Sequence, residues 1–203
     1  TPHRVPLPDH GPYPSVDILI ATYNEPESTL RPTLAAAAAL RYPGTVTVYL
    51  CDDGRRPELA QLAMRYGAIH LTRPDNRHAK AGNLNHALTH SSGELLVTLD
   101  ADMVPRENFL EESVGLFIED PELGLAQAPQ AFYNEDPFQY NLFSGSRLPN
   151  EQDFFMRELQ GGYERFNSTM YVGSNAIMRR TALEEIGGFV TGDLGQSIRL
   201  QVP

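Results

Sequence analysis

Short apolar runs alternate with helical stretches through the first half of the chain, and most of the runs end in polar or acidic residues. Val16-Asp17-Ile18-Leu19-Ile20-Ala21 is a run of strand type that ends in Thr22-Tyr23-Asn24-Glu25. An alanine-rich stretch from Glu27 to Arg41 reads as a helix that Tyr42-Pro43-Gly44 stops, and Pro32 in its interior predicts a later start or a bend. Thr45-Val46-Thr47-Val48-Tyr49-Leu50 is β-branched and aromatic, a strand by composition, and it ends in Cys51-Asp52-Asp53-Gly54. Pro57 to Tyr66 reads as a helix closed by Gly67, Ala68 to Leu71 as a brief strand, and Ala81 to Thr89 as a further helix. Glu94 to Leu99 is the next strand, ending in Asp100-Ala101-Asp102. Strand and helix in strict alternation predict right-handed crossovers and a mostly parallel sheet flanked by helices, an α/β fold.

In such a sheet ligands bind outside the carboxyl ends of the strands. Three strands would therefore bring Thr22 to Glu25, Asp52-Asp53 and Asp100 to Asp102 to one rim. The second half is less regular. A helix is predicted over Arg106 to Ile118, a strand over Leu125 to Ala128, a helix over Asp153 to Gln160, a strand over Met170 to Val172 and a short helix over Thr181 to Ile186. The five prolines of residues 1–15 and their lack of periodicity read as an extended lead-in, which leaves 16–203 as one domain with no internal repeat.

Composition narrows the class. The 203 residues carry 16 basic and 26 acidic side chains, a net charge of −10, which argues against a nucleic-acid-binding module. Hydrophobic residues at 41% and charged residues at 21% exclude wholesale disorder. The single Cys51 excludes an internal disulfide framework and a multi-cysteine zinc site, and suits a reducing compartment. No apolar run approaches the about 20 residues of a membrane span, so a soluble domain is expected. The absent initiator methionine and the abrupt Gln201-Val202-Pro203 end suggest a fragment of something longer.

Asp100-Ala101-Asp102 is the sharpest local signal. At period two both carboxylates of an extended segment point the same way, and oxygen donors in that arrangement suit Mg²⁺ or Mn²⁺ bridging to phosphate. A solvated strand end has the same sequence, and it is the α/β frame that favours the metal. In Asp52-Asp53-Gly54 the glycine permits a sharp turn and a carboxylate could accept hydrogen bonds from a nucleoside, although for the motif by itself plain turn chemistry is the favoured account. His78-Ala79-Lys80-Ala81-Gly82-Asn83 places a cation among small residues at a helix start, where it could meet phosphate. It lacks the Walker pattern, and His78 alone reads as a structural hydrogen-bonder. Asn167-Ser168-Thr169 fits a glycosylation sequon with nothing else pointing to secretion. Phe132, Tyr133, Phe138, Phe143, Phe154 and Phe155 read either as core or as a sugar-stacking surface.

Taken in order, these motifs resemble the cytosolic catalytic domain of the cellulose synthase-like family-2 glycosyltransferases, which have a GT-A fold. The matching pieces are Ala21-Thr22-Tyr23-Asn24-Glu25, Asp52-Asp53-Gly54, His78 to Asn83 and Asp100-Ala101-Asp102. They continue with Gln127-Ala128-Pro129-Gln130, Phe138 to Leu142, Pro149-Asn150-Glu151, Val172-Gly173-Ser174-Asn175 and Glu184 to Phe189. The resemblance implies inverting transfer of a sugar from a UDP-sugar to a growing β-linked polysaccharide, at the cytoplasmic face of a membrane in which the parent protein is embedded. It implies that Thr22, Tyr23, Glu25 and Asp53 hold the uridine and that Lys80 approaches the nucleotide. It further implies that Asp100 and Asp102 contact the diphosphate and a divalent metal, and that Gly173 and Ser174 lie beside the terminal sugar of the acceptor.

The chain departs from the family pattern in three places. The family's base sits in a Thr-Glu-Asp motif after the Gly-Gly-Phe turn, whereas here Gly192 runs straight into Asp193-Leu194-Gly195 as though the Thr-Glu were absent. Asp193 is the candidate base on that alignment, with a helix N-cap as its other reading. The chain also ends before the family's Gln-x-x-Arg-Trp motif and contains no tryptophan, which predicts weak or no turnover. Gln127-Ala128-Pro129-Gln130 differs from the Thr-Pro-His form of true cellulose synthases, so glucose is the expected sugar with other β-glucans and aminosugar polymers open. Outside this family, a sugar nucleotidyltransferase would need a glycine-rich loop after the first strand, and a dehydrogenase would need Gly-x-Gly-x-x-Gly; neither is present. A non-catalytic UDP-sugar-binding module remains the alternative from a different class.

Overall fold

The computed structural model describes residues 5–127 and 175–191. Along these the chain runs β1 (Val16–Thr22), α1 (Glu27–Ala38), β2 (Val46–Asp52), α2 (Glu58–Arg65), β3 (Ile69–Leu71), α3 (Ala79–Thr89), β4 (Leu95–Asp100), α4 (Phe109–Glu119), β5 (Leu125–Gln127), β6 (Ala176–Arg179) and α5 (Arg180–Glu185). The six strands form one sheet in the order β3-β2-β1-β4-β6-β5. β1 to β4 are parallel, and β6 runs antiparallel to both of its neighbours. The expected α/β class and the mostly parallel sheet are both present.

Every residue of β1 is buried, as befits the strand that pairs with both β2 and β4. Alternate side chains serve opposite faces. Ile18, Ile20, Leu50, Val97 and Leu99 join Leu30 and Leu34 of α1, Leu59 and Leu62 of α2, and Leu110, Val114 and Phe117 of α4 in one core layer. Leu19, Ala21, Tyr49, Cys51 and Leu96 join Leu84 and Ala87 of α3, Met178 of β6, Leu183 of α5 and Phe189 in the other. Burying both faces of the sheet under helices in this way removes most of the large aliphatic side chains from water, at roughly 1.5–3 kcal/mol each.

Pro32 neither delays nor ends α1. It sits on the exposed face, between the buried Leu30 and Thr33, so the bond that its missing N–H forfeits is lost on the side that water reaches. α3 begins two residues before its expected start, and β2 and β4 each extend into the acidic residues that were read as their terminating loops. β6 was not anticipated from the sequence. Four residues between Asn175 and Arg180 carry too little periodicity to announce a strand, and this one is defined by its slot between β4 and β5. The helix expected over Asp153 to Gln160 and the strand expected over Met170 to Val172 lie outside the described residues.

Buried charge closes the end of the sheet opposite the rim. Asp17, 3% exposed, accepts hydrogen bonds from the backbone N–H of Ser92 and of Gly93 and from the guanidinium of Arg180. Arg180 also donates to the carbonyls of Gly93 and Leu88. The lead-in is irregular but in contact with the domain: Leu7 packs on the core and Tyr42 donates to the Pro14 carbonyl. The Val5 carbonyl lies so close to Gly115 of α4 that a Cβ there would meet it at 2.0 Å.

Candidate functional site at the carboxyl rim of the sheet

Strand register brings the three expected segments together. Thr22 is paired with Asp52, and Ala21 with Asp100, so the exits of β2, β1 and β4 lie side by side. At the β1 exit the Thr22 hydroxyl and the Tyr23 amide both donate to one carboxylate oxygen of Glu25, at 2.7 and 2.8 Å. Burial alone would raise the Glu25 pKa; these two donors, with the nearby Arg56 charge, outweigh it and hold the carboxyl below its ordinary range. Tyr23 leaves this turn with its side chain 53% exposed.

At the β2 exit the two aspartates differ in environment. Asp52 is wholly buried and accepts from the Gly54 and Arg56 amides at 2.9 and 2.7 Å and from the Arg56 guanidinium at 3.1 Å, while His70 Nε2 lies 3.2 Å away. Arg56 also donates to the Glu25 carbonyl at 2.6 Å and to the Thr22 hydroxyl at 2.9 Å, fastening the β1 turn to the β2 turn. Gly54 is required where these turns press together, since a Cβ there would stand 2.3 Å from the Tyr23 carbonyl. Asp53 faces the other way, and Arg73 grips both of its oxygens, Nε to Oδ1 at 2.5 Å and Nη2 to Oδ2 at 2.7 Å. Hydrogen bonding to Asp53 raises the Arg73 pKa above its already high ordinary value. Cys51, beneath this turn, is fully buried, and burial with the Asp53 charge pushes its thiol up to about 12, so it is no nucleophile.

Lys80 lies in the first turn of α3 and forms an ion pair with Asp100 at the β4 exit. Asn83, buried one turn on, donates to the Cys51 carbonyl at 2.8 Å and fixes α3 against β2. Beyond Asp100 the chain turns, Met103 N–H donating to the Asp100 carbonyl at 3.1 Å. The Ala101 carbonyl accepts from the buried Thr33 hydroxyl of α1 at 2.7 Å. This turn leaves Asp102 exposed to solvent. Asn175, at a φ of 52°, enters β6 beside it, donating its N–H to the Thr98 carbonyl at 2.8 Å.

Of the residues singled out from sequence, Thr22, Tyr23, Glu25, Asp53, Lys80, Asp100 and Asp102 all fall on these adjoining turns. Gly173, Ser174 and Asp193 lie outside the described residues. Two structural partners were missed, Arg56 and Arg73, and Asp52, read with Asp53 as a candidate acceptor, is taken up by Arg56 and the turn that follows it. Asp52 and Arg56 have a helix-like spacing of four that could have suggested their pairing; nothing in the local sequence ties Arg73 to Asp53, twenty positions away. Asp100 ends β4 and Asp102 lies in the turn after it, so the extended geometry expected to align the two carboxylates stops at Asp100; the two still supply oxygen donors of the type that suits Mg²⁺ or Mn²⁺, and Asp102 is open to solvent. Among the described residues no three His, Cys, Asp or Glu side chains form a closed metal cage. No helix among them is long and apolar enough to cross a membrane.

Comparison with known proteins identifies the family and the fold. Cellulose synthase 1 catalytic subunit (UDP-forming) of Komagataeibacter xylinus is 44% identical over 207 residues, spanning 98% of this chain and 28% of that protein. Cellulose synthase catalytic subunit (UDP-forming) of Xanthomonas axonopodis pv. citri is 43% identical over 203 residues, again with 28% of its length matched. The chain thus spans under a third of these relatives. Among solved structures, a mannosyltransferase from Pyrobaculum calidifontis in complex with GDP-Man and Mn²⁺ superposes with a TM-score of 0.66 at 25% identity, over 95% of this chain and 51% of that one. S. aureus TarS shares the fold at a TM-score of 0.59 and 16% identity, over 87% of this chain and 50% of that one. The fold is the GT-A α/β fold expected from the sequence. The sequence pattern of Glycosyl transferase family 2 matches residues 17–187, nearly all of the α/β unit, and the chain belongs to that family.

Proposed function

We propose that this chain is the donor-binding and catalytic domain of a cellulose synthase-like enzyme that transfers a sugar, with glucose the first choice, from a UDP-sugar to a growing β-linked polysaccharide with inversion. The observation that carries the reading is the convergence of the three strand exits. A nucleoside-facing group of Thr22, Tyr23, Glu25 and Asp53 adjoins a phosphate-facing group of Lys80, Asp100 and Asp102. The relatives named as UDP-forming support a uridine nucleotide as the leaving product, and the mannosyltransferase complex supports a nucleotide-sugar with a divalent ion in this fold.

In this reading Tyr23 offers an exposed ring to the base, while Glu25 is held rigid by its donors to shape the adjoining turn. Lys80 brings positive charge to the rim where the diphosphate departs. A divalent ion, Mg²⁺ or Mn²⁺, bound by Asp100 and Asp102 would offset the charge that builds on that leaving group. Asp193 takes the role of general base, accepting the proton of the acceptor hydroxyl as its oxygen attacks the anomeric carbon opposite the departing UDP. Gly173 and Ser174 lie beside the acceptor sugar, and the parent protein works at the cytoplasmic face of a membrane.

The test is calorimetric titration of UDP into the chain with Mn²⁺, with Mg²⁺ and with neither, alongside Asp102→Ala. Binding that requires the ion and weakens about tenfold or more in the variant is the expected result, each tenfold being about 1.4 kcal/mol. A cooperatively melting protein that binds no UDP under any of these conditions would overturn the reading.

A further inference from the structure

We propose that Arg73 is the positioning residue for nucleobase choice: it holds Asp53 as a pure hydrogen-bond acceptor toward the base and, with the same guanidinium, sets the turn that presents Lys80. The proposal rests on the donor reading above.

Four hydrogen bonds leave this one guanidinium. Two go to the separate oxygens of Asp53, one runs from Nη1 to the Arg77 carbonyl at 2.7 Å, and one runs from Nη2 to the Ala79 carbonyl at 2.8 Å. A guanidinium has five N–H groups and no acceptor, so four of the five are committed within the protein. The Arg73 and Asp53 side chains are each 6% exposed. Such a pair is a fixed element, held by fork geometry that a lysine cannot reproduce.

Two consequences follow from that geometry. Because Arg73 can only donate, both Asp53 oxygens face it as acceptors, and the carboxylate has no proton to offer a ligand at its remaining edge. A carboxylate accommodates about four hydrogen bonds, of which Arg73 takes two. An acceptor at that edge suits the ring N–H of uracil and opposes the bare ring nitrogen that cytosine presents at the same position. Secondly, the two carbonyls that Arg73 holds bracket His78 and Ala79, non-glycine residues at φ of 60° and 45°. This left-handed pair is the entry to α3, one residue before Lys80. Gly82 completes the fit, because a Cβ there would stand 2.0 Å from the Arg77 carbonyl and 2.5 Å from Arg73 Nη1. The nucleoside-facing carboxylate and the phosphate-facing lysine are thereby indexed to one side chain.

The experiment compares UDP and CDP binding, with Mn²⁺ present, in the wild-type chain, Arg73→Lys and Arg73→Gln, each first checked for a cooperative melt. The expected result is a wild-type preference for UDP of about tenfold or more, since a buried polar edge rejects a partner that leaves it unpaired. That ratio should fall toward one in Arg73→Gln and lie between in Arg73→Lys. A residue that serves stability alone would weaken both nucleotides by the same factor, so an unchanged ratio in either folded variant overturns the proposal. Should Arg73→Gln fail to fold, Arg73→Lys, which keeps the charge and loses the fork, decides the question. Wild-type protein that folds and binds no UDP overturns the donor reading itself, and this assignment with it; wild-type binding with an unaltered ratio in the variants overturns only the role of Arg73.

Discussion

Glu25 carries the residue-scale consequence that is simplest to measure. Its carboxyl is held below the ordinary value of 4.5 by Thr22, Tyr23 and Arg56, against the upward push of burial. A group depressed in the folded state contributes stability that is fully present above its unfolded pKa and is lost as pH falls through the folded one. Wild type should therefore be more stable than Glu25→Gln at pH 6, with the gap closing below about pH 4.5, the model-compound range; melts from pH 6 to pH 3 measure it. A gap that stays constant across this range would mean that the Thr22 and Tyr23 donors serve the neutral side chain as well. At this scale the sequence showed the acidic and hydroxyl groups plainly, since Thr22, Glu25, Asp53, Lys80 and Asp100 sit in short motifs at strand or helix ends. It did not show which cation each carboxylate would take. Arg56 turns back on Asp52 within one turn of chain, but the pairing of Arg73 with Asp53 depends on how β3 lies against β2. Long-range partnership of this kind has no local spacing to betray it.

Among the elements, those buried on both faces were the most legible. β1, β2 and β4 are mostly apolar runs because helices cover both sides of the sheet, and such runs stand out against the polar turns that follow them. The helix starts were less so. α3 begins at Ala79 because its entry is set by the carbonyls that Arg73 holds, a constraint invisible in propensity. Of the later start or bend expected from Pro32, the later start is absent, since a proline at the sixth position of a helix costs an intrahelical bond but does not displace the start of a helix whose other face is well buried. Replacing it with alanine restores that bond at an exposed site. Pro32→Ala should stabilise the chain by about 1–3 kcal/mol in urea unfolding, the propensity gain less the stiffening that proline gives the unfolded chain. A loss of stability in Pro32→Ala would mean that the ring itself packs usefully at the surface. UDP binding should be unaffected, because the buried side of α1, with Thr33 on the Ala101 carbonyl, stays as it is.

On the scale of the whole molecule, the sheet order puts β1 between β2 and β4, so their three exits are neighbours and loops far apart in sequence share one rim. The opposite end is closed by Asp17 and Arg180, which separates this buried charge cluster from the rim. Cys51 reports on the integrity of this arrangement, being wholly buried at the end of β2 with its thiol pushed up to about 12. A neutral aromatic disulfide reagent should leave it unmodified in native buffer and react fully in denaturant, with a native rate that follows global opening. Rapid labelling of folded protein would show that the β2 exit opens on its own.

The slot of β6 has a consequence for the order in which the molecule can be made. β1 to β4 are complete once residue 100 has been synthesised, and every pairing among them is parallel and already available. β5 follows by residue 127, yet among the described residues its strand partner is β6, and β6 is also what covers the outer edge of β4. A nascent chain therefore carries the exposed edge of β4, next to the Asp100–Asp102 turn, for the whole interval of translation until Arg179 leaves the ribosome.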